Sequence, residues 1–134
     1  MILVDTSVWI ELFRSPTLLH AGSFPDLEEV VTCLPVVQEV LQGFKDEDAY
    51  YTARTAMLSL PIVESPLGPR VYDEAIDLYR RTRRAGRTVR SGVDCLIAAC
   101  ARLNGLPILH HDRDFDALAA IAPLSVKRVT LRSP

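Results

Sequence analysis

The sequence has few of the features that define secreted, membrane-bound or zinc-stabilised proteins. Only three of the 134 residues are cysteines, an odd number without close ligand-type pairing, so neither a disulfide framework nor a zinc motif is predicted. No apolar run approaches the roughly 20 residues that a membrane helix needs. No basic segment precedes the short apolar run at the N-terminus, which argues against a signal peptide. These absences favour a cytoplasmic protein, away from membranes, in a reducing compartment.

The overall composition is that of an ordinary globular protein. Apolar residues make up 49% of the chain and charged residues 24%, without a low-complexity stretch. The formal net charge is only −2, so the protein is not a bulk polycation. A chain of 134 residues can bury a proper core, and we expect one domain over residues 1–134.

Short apolar runs alternate with segments of helical periodicity along the whole chain. The predicted strands are 2–5, 30–33, 61–63, 107–111 and 125–131. The predicted helices follow Asp5 and Pro35, run from 46 to 58, 68 to 84 and 91 to 104, and end with a short helix at 114–120. This alternation predicts an α/β fold, with a mainly parallel sheet of four to five strands between two helical layers.

Four acidic residues stand at unusual places in this pattern. Asp5 and Asp112 each close an apolar strand, while Glu39 and Asp94 lie in the first turns of predicted helices. In a parallel sheet the strand ends and these helix starts meet at one edge, where the working crevice lies. Two unit charges about 4 Å apart repel by roughly 4 kcal/mol at a dielectric of 20. The spacing therefore predicts a divalent metal site, because Mg²⁺ and Mn²⁺ prefer such oxygen ligands.

The segment before and around Asp94 combines a helix start with concentrated positive charge. Ser91 and Asp94 have the spacing of a capping box, and the positive end of the helix is expected to favour ionised Asp94. Six of the fifteen basic residues lie just upstream: Arg80, Arg81, Arg83, Arg84, Arg87 and Arg90. They indicate either a phosphate-binding surface or a solvated helix end.

Together these segments resemble a known family, the PIN domain, and within it the VapC-type toxins of bacterial toxin–antitoxin pairs. The resemblance rests on the opening Asp5-Thr-Ser, on Glu39 after Pro35, on Asp94 in an alanine-rich helix, and on Asp112-Arg-Asp114-Phe. It implies a PIN-like three-layer sandwich with the activity of a Mg²⁺- or Mn²⁺-dependent endoribonuclease.

The resemblance also implies roles for individual residues. The acidic quartet of the family is matched by Asp5, Glu39, Asp94 and Asp112, which are the expected catalytic residues. Metal is expected on Asp5, Asp94, Asp112 and Asp114, with Glu39 completing the shell through water or orienting the attacking water.

The expected substrate contacts come from one hydroxyl and two cations. Ser7 matches a position that helps to hold metal-bound water or phosphate, although a role as a helix cap is equally open. Arg87 and Arg90, at the mouth of the Asp94 helix, are expected to bind the RNA backbone. His111 departs from the threonine common in the family, and neither His110 nor His111 is assigned a role.

A partner follows from the resemblance as well. VapC-type toxins are held inactive by a small cognate antitoxin whose tail lies in an apolar groove and reaches the acidic pocket. Among the apolar residues near that groove, Trp9 and Phe13 are expected to be partly exposed. Members commonly pair as dimers, so a homodimer is expected here.

Three other functions fit parts of the pattern. An aspartyl-nucleophile phosphatase would use Asp5, but such enzymes usually need a second Asp two residues on, where this chain has Ser7, and no suitable lysine is evident. A catalytically idle PIN scaffold would bind a partner only. A nuclease acting on DNA or structured flaps is less favoured, because the chain is small and has no helical arch insertion.

Overall fold

A computed structural model of the chain describes residues 1–133. Five strands form one sheet in the order β3-β2-β1-β4-β5, and every neighbouring pair is parallel. The strands are β1 Ile2–Val4, β2 Val30–Cys33, β3 Ile62–Val63, β4 Ile108–His110 and β5 Val126–Arg128. The prediction of a three-layer α/β/α fold with a parallel sheet is confirmed.

Six helices flank this sheet. They are α1 Thr6–Phe13, α2 Leu34–Gln42, α3 Glu47–Leu58, α4 Pro69–Arg84, α5 Gly92–Leu103 and α6 Arg113–Ala119, with a short 3-10 helix at Leu27–Glu29. Within residues 1–133, no helix has both the length and the apolar character needed to cross a membrane.

Side-chain caps fix where several helices begin. Asp5 accepts a hydrogen bond from the backbone N of Ser7 and so caps α1, while Ser91 accepts from the backbone N of Val93 at the start of α5. Gly86 follows α4 with a φ of +75°, a conformation that other residues adopt only with strain. The long helix α4 therefore ends where the sequence predicts.

The C-terminal part of the chain differs from its prediction. The last strand was expected over 125–131, but β5 ends at Arg128. Beyond it, Leu131 forms an isolated antiparallel bridge with Leu19 in the loop after α1. An apolar run alone cannot distinguish a strand that stays on β4 from a segment that leaves the sheet for another partner.

Small residues of α5 pack in the hydrophobic core. Ala98, Ala99, Cys100 and Ala101 are fully buried, so the backbone of this helix can approach its neighbours closely. All three cysteines are free and buried. Cys33 and Cys100 share a hydrogen bond, which together with burial raises the pKa of the Cys33 thiol. The same hydrogen bond lowers the pKa of the Cys100 thiol against the opposing effect of burial.

The direction of the strands sets the place of the site. The strand order reverses between β1 and β4, and a doubly wound sheet forms its crevice beyond the carboxyl ends of the strands at such a point. Helices α1, α2 and α6 begin there, directly after β1, β2 and β4. Because α5 returns the chain to the opposite end of β4, the first turn of α5 lies at the same edge.

Candidate active site

Three carboxylates meet at this edge of the sheet. Asp94 in the first turn of α5, and Asp112 and Asp114 at the start of α6, each offer an oxygen within 4.8 Å of the others. Asp94 and Asp114 are buried, and Asp112 is partly exposed. The carboxyl group of Asp112 also accepts from the backbone N of Asp114 at 2.9 Å, so Asp112 caps α6. We call Asp94, Asp112 and Asp114 the acidic cluster.

Asp5 lies beside this cluster, at the end of β1. Its side chain is 2% exposed, and one oxygen accepts hydrogen bonds from the Ser7 backbone N at 3.0 Å and the Ser7 hydroxyl at 2.6 Å. The other oxygen, Oδ1, is buried and has no hydrogen-bond partner within residues 1–133. Burial outweighs the bonds from Ser7, and it raises the pKa of Asp5 to about 6.

Asp94 departs from the expectation that the helix field would keep it ionised. Its pKa is raised to about 9, first by burial, then by a hydrogen bond shared with the carboxyl of Asp114, and then by the charges of the other acids, Asp5 and Asp112 among them. The field of a helix end is worth typically 0.3–1 kcal/mol, less than the cost of burying a carboxylate beside like charges. Asp94 also uses its carboxyl toward Asp114, so the capping box is formed only on the Ser91 side.

Glu39 approaches from the second turn of α2. Its carboxylate accepts a hydrogen bond of 2.7 Å from the hydroxyl of Thr6, and its charge contributes to the raised pKa of Asp5. This bond from Thr6 to an expected catalytic residue is a contact that the sequence pattern did not reveal. A threonine at a helix start is such a common cap that its second role carries no sequence signal.

Ser7 joins the ends of two strands. Its hydroxyl donates to Asp5 at 2.6 Å and accepts from the backbone N of His111 at 2.9 Å. Together the two hydrogen bonds link the end of β1 to the segment after β4, across the point where the strand order reverses. The single proton of the hydroxyl is thereby directed at Asp5, which favours a positioning role for Ser7 over direct contact with substrate.

The two arginines expected at the site lie in different environments. Arg90 reaches the acidic cluster: its Nη2 is 3.5 Å from Asp112 Oδ1, and its Nε is 3.6 Å from Asp114 Oδ1. Its backbone N also donates to the carboxyl of Asp114 at 3.0 Å. Arg87 is exposed in the same loop and makes no salt bridge within residues 1–133.

His110, to which the sequence analysis assigns no role, accepts a hydrogen bond from the backbone of Asp112. The imidazole is fully buried, and its Nδ1 accepts from the backbone N of Asp112 at 3.1 Å. Burial lowers the pKa of His110, so the neutral ring that can accept this bond is favoured. Its Nε2 lies 3.5 Å from Asp116, whose carboxylate accepts from Arg128. No motif marks a buried histidine as a backbone acceptor.

An apolar groove lies between α1 and α2. The cavity of about 340 Å³ is lined by Ile10, Phe13, Arg14, Val40, Gly43 and Phe44. Phe13 is 39% exposed, as expected, but the expectation for Trp9 is wrong: it is 3% exposed and packs between Phe13 and Phe24. Ile10, one position along the helix and 49% exposed, presents the open surface instead.

The residues of the site fit a divalent cation. Three clustered carboxylates and a fourth nearby provide the hard oxygen ligands that Mg²⁺ and Mn²⁺ prefer. Asp5 Oδ1 is a buried acceptor without a donor, and an atom of this kind is costly unless it gains a partner. Burial is the largest cause of the raised pKa values of Asp5 and Asp94, nearby acids add to it, and a bound cation would offset both effects.

Comparison with known proteins agrees with this arrangement. The PIN domain family model matches residues 2–121, so the chain belongs to the PIN domain family, and the predicted resemblance is confirmed. Among its relatives is Ribonuclease VapC11 of Mycobacterium tuberculosis, 40% identical over 92% of this chain and 96% of that protein. Ribonuclease VapC2 of the same species is 33% identical over 98% of this chain and 94% of its own.

Solved structures show the same fold. The structure of VapBC-5 from Mycobacterium tuberculosis, a member of the VapBC family of toxin–antitoxin systems, matches with a TM-score of 0.68 and 25% identity. The match covers 96% of this chain and 98% of that one. The VapBC2 structure from Rickettsia felis has a TM-score of 0.75 at 16% identity, over 97% of this chain and 100% of that one.

Proposed function

We propose that this chain is a metal-dependent endoribonuclease toxin, the active partner of a toxin–antitoxin pair, and that residues 1–134 work as one PIN domain. The observation that carries the proposal is the meeting of Asp94, Asp112 and Asp114 within 4.8 Å at the carboxyl edge of the sheet. The 40% identity to a ribonuclease over nearly the whole chain supports it.

The residues of the proposed site have different roles. Asp5, Asp94, Asp112 and Asp114 would hold the cation, and Ser7 donates to Asp5 from its hydroxyl and its backbone N. When bound, Mg²⁺ or Mn²⁺ supplies a Lewis acid that lowers the pKa of water and offsets charge on the phosphodiester. Glu39, oriented by Thr6, accepts a proton from the attacking water or positions that water.

The substrate would be held mainly through its backbone. Arg87 and Arg90 stand in the loop before α5 and can contact phosphate oxygens, which gives affinity without choice of sequence. Such binding is salt-dependent because each neutralised phosphate releases counterions. Specificity for one RNA would then come from the shape of the loops around the crevice.

Cleavage by the purified protein tests this function. We expect RNA cleavage with Mn²⁺ that is lost with EDTA and falls at least about a hundredfold in Asp94→Asn, because removing a ligand disturbs both the cation and its water. The matched control is Asp73→Asn, which changes an exposed acid of α4 and should cleave normally. Full cleavage by Asp94→Asn would refute the assignment.

We also propose that a cognate antitoxin binds the groove between α1 and α2. The opening is apolar at Ile10, Phe13 and Phe44, which suits an apolar segment of a partner tail. The acidic cluster would receive a basic end of the same tail. Co-expression with the neighbouring small protein of the native operon, followed by affinity capture of this chain, tests the pairing.

A homodimer is the third part of the proposal. Helix α4 presents Tyr72, Ile76 and Tyr79, each 40% or more exposed, beside a cavity of about 470 Å³. A second copy would cover these apolar side chains. Light scattering should give twice the chain mass for the wild type and one chain mass for Ile76→Glu; an unchanged mass in this variant would refute this face.

A further inference from the structure

Arg90 lies where a divalent cation would compete with it. Its guanidinium forms ion pairs with Asp112 and Asp114, two of the three acids whose oxygens lie within 4.8 Å of one another. Asp114 is 2% exposed, so its charge depends on near neighbours for compensation. The cation that compensates it in this structure belongs to the chain itself.

The contacts of Arg90 are suited to exchange. At 3.5 and 3.6 Å, both pairs are ionic contacts without the short bidentate geometry of a locked Arg–carboxylate fork. The side chain is 56% exposed, so rotation about its own bonds can carry the guanidinium into solvent. The backbone stays fixed, because the Arg90 N–H donates to Asp114 at 3.0 Å.

We propose that Arg90 is a built-in counter-ion of the acidic cluster, displaced outward when a divalent cation enters and then free to bind a phosphate of the RNA. The inference rests on the proposed function and adds an exchange step to it. One arginine would thereby stabilise the cluster before metal binding and hold the substrate after it. A divalent cation and the guanidinium repel each other at this distance, so the entry of one favours the departure of the other.

The exchange predicts opposite effects on metal and on RNA. Without Arg90 the cation has no competitor, so Arg90→Gln should bind Mn²⁺ about fivefold more tightly, the size expected for two partly exposed ion pairs. The same variant loses a phosphate contact, so its KM for RNA should rise about threefold or more at saturating Mn²⁺ while kcat changes little. The dependence of log KM on log salt should fall by about 0.7.

Calorimetry with Mn²⁺ at pH 8 is the primary measurement, because it requires no cleavage. Arg84→Gln is the matched control: it removes the same charge from the exposed end of α4 and should leave the Mn²⁺ affinity within about twofold of wild type. Arg90→Lys keeps a cation on a flexible stem and should also stay within about twofold. The exposed position of the side chain means that these variants keep the fold, which circular dichroism verifies.

Each outcome decides between the exchange and a plain structural role. Tighter Mn²⁺ binding by Arg90→Gln, restored by Arg90→Lys, supports the exchange. Unchanged or weaker Mn²⁺ binding by Arg90→Gln overturns it, and so does equally tight binding by Arg90→Lys. If the wild type binds Mn²⁺ and cleaves RNA while Arg90→Gln binds Mn²⁺ no more tightly, the exchange fails and the metal-dependent ribonuclease activity stands. If the wild type binds no Mn²⁺, the proposed function fails with it.

Discussion

At the residue scale, the same chemical group behaves differently at each acidic position. Asp112 caps a helix at the surface of the cluster, whereas Asp5 and Asp94 are buried and have raised pKa values. Burial, rather than proximity alone, is the first cause for both buried acids. The site therefore disfavours the ionised form of both buried acids, and a bound cation would offset that cost.

The sequence could identify these acids but not their partners. Asp5 and Asp112 were predictable because each ends an apolar run. The contacts of Ser7 with His111 and of Arg90 with Asp114 cross 104 and 24 residues, and periodicity carries no information on such distances. The raised pKa of Asp94 could not be predicted for the same reason, since burial is a property of the assembled fold.

Replacing Asp94 should change how stability depends on pH. The folded-state pKa of about 9 lies above the ordinary 3.8, so the folded protein binds more protons than the unfolded chain in that window. Stability is thus fullest below pH 3.8 for this group and falls as pH rises toward 9. In EDTA, Asp94→Asn should escape this fall, which is on the order of a few kcal/mol between pH 5 and 8.

Urea unfolding at several pH values measures this difference. Asp73→Asn on exposed α4 is the control and should follow the wild-type curve. Parallel pH curves for Asp94→Asn and the wild type would contradict the raised pKa.

Removing the Ser7 hydroxyl should cost more than removing an ordinary surface hydroxyl. Ser7→Ala leaves the backbone N of His111 without its acceptor and takes one of two donors from Asp5. We expect a loss of about 1–3 kcal/mol in the free energy of unfolding. Ser59→Ala is the comparison, because that hydroxyl only donates to an exposed helix end, and it should change stability by less than about 0.5 kcal/mol. Equal losses would argue against a bridging role.

At the scale of elements, helices were predicted more closely than strands. Capping residues and a terminal glycine predicted the bounds of α3, α4 and α6 to within a residue or two of those in the structure. The last strand was predicted too long, because the apolar Leu131 pairs with Leu19 instead of continuing along β4. Local chemistry determines where a helix can end, while the end of a strand depends on which neighbour is available.

The small residues of α5 provide a test of close packing. Ala98 is fully buried at the centre of this helix, so Ala98→Leu must displace its neighbours. A loss of about 1–3 kcal/mol is expected, as for other overpacked cores. Ala56→Leu on the exposed side of α3 adds the same atoms in solvent and should stay within about 0.5 kcal/mol of wild type. Chemical denaturation distinguishes the two, and a neutral Ala98→Leu would contradict tight packing at this position.

At the scale of the whole molecule, the parallel sheet brings residues that are far apart in the sequence together at one edge. Of the four acids predicted to converge at the carboxyl edge, Asp94 and Asp112 lie together in the acidic cluster. The charge of Asp5 acts on Asp94 although most of the chain separates the two residues. General topology rules predicted the parallel sheet and the edge at which its crevice lies, whereas the strand order and register came from the structure. The distances within the cluster, and the entry of Arg90 into it, required the assembled structure.

Divalent metal should stabilise the whole fold, and more so at higher pH. A ligand that binds only the folded state raises its stability by mass action, by about 2.7 kcal/mol at a concentration of a hundred times Kd. Because Asp5 and Asp94 must release their protons, Mn²⁺ should raise the melting temperature more at pH 8 than at pH 6. Differential scanning fluorimetry measures both shifts. Asp73→Asn should respond as the wild type does, and a larger shift at pH 6 would count against this linkage.

A charged side chain in the groove between α1 and α2 should block the antitoxin without unfolding the toxin. Ile10 is 49% exposed, so Ile10→Glu alters the surface of the groove and leaves the buried Trp9 in place. We expect at least about a tenfold loss of antitoxin affinity, measured by titration, with RNA cleavage retained. Tyr51→Glu, an exposed position on α3, is the matched control. Unchanged affinity in Ile10→Glu would place the antitoxin elsewhere.

Because all three thiols are buried, the rate at which they react can measure how often the fold opens. Cys33, Cys95 and Cys100 are enclosed, and a water-soluble thiol reagent reaches them only when the surrounding structure opens. The rate of labelling in dilute reagent thus reports the frequency of opening events, without an attached dye and without denaturant. Bound cation, RNA or antitoxin can then each be ranked by how far it slows that reaction.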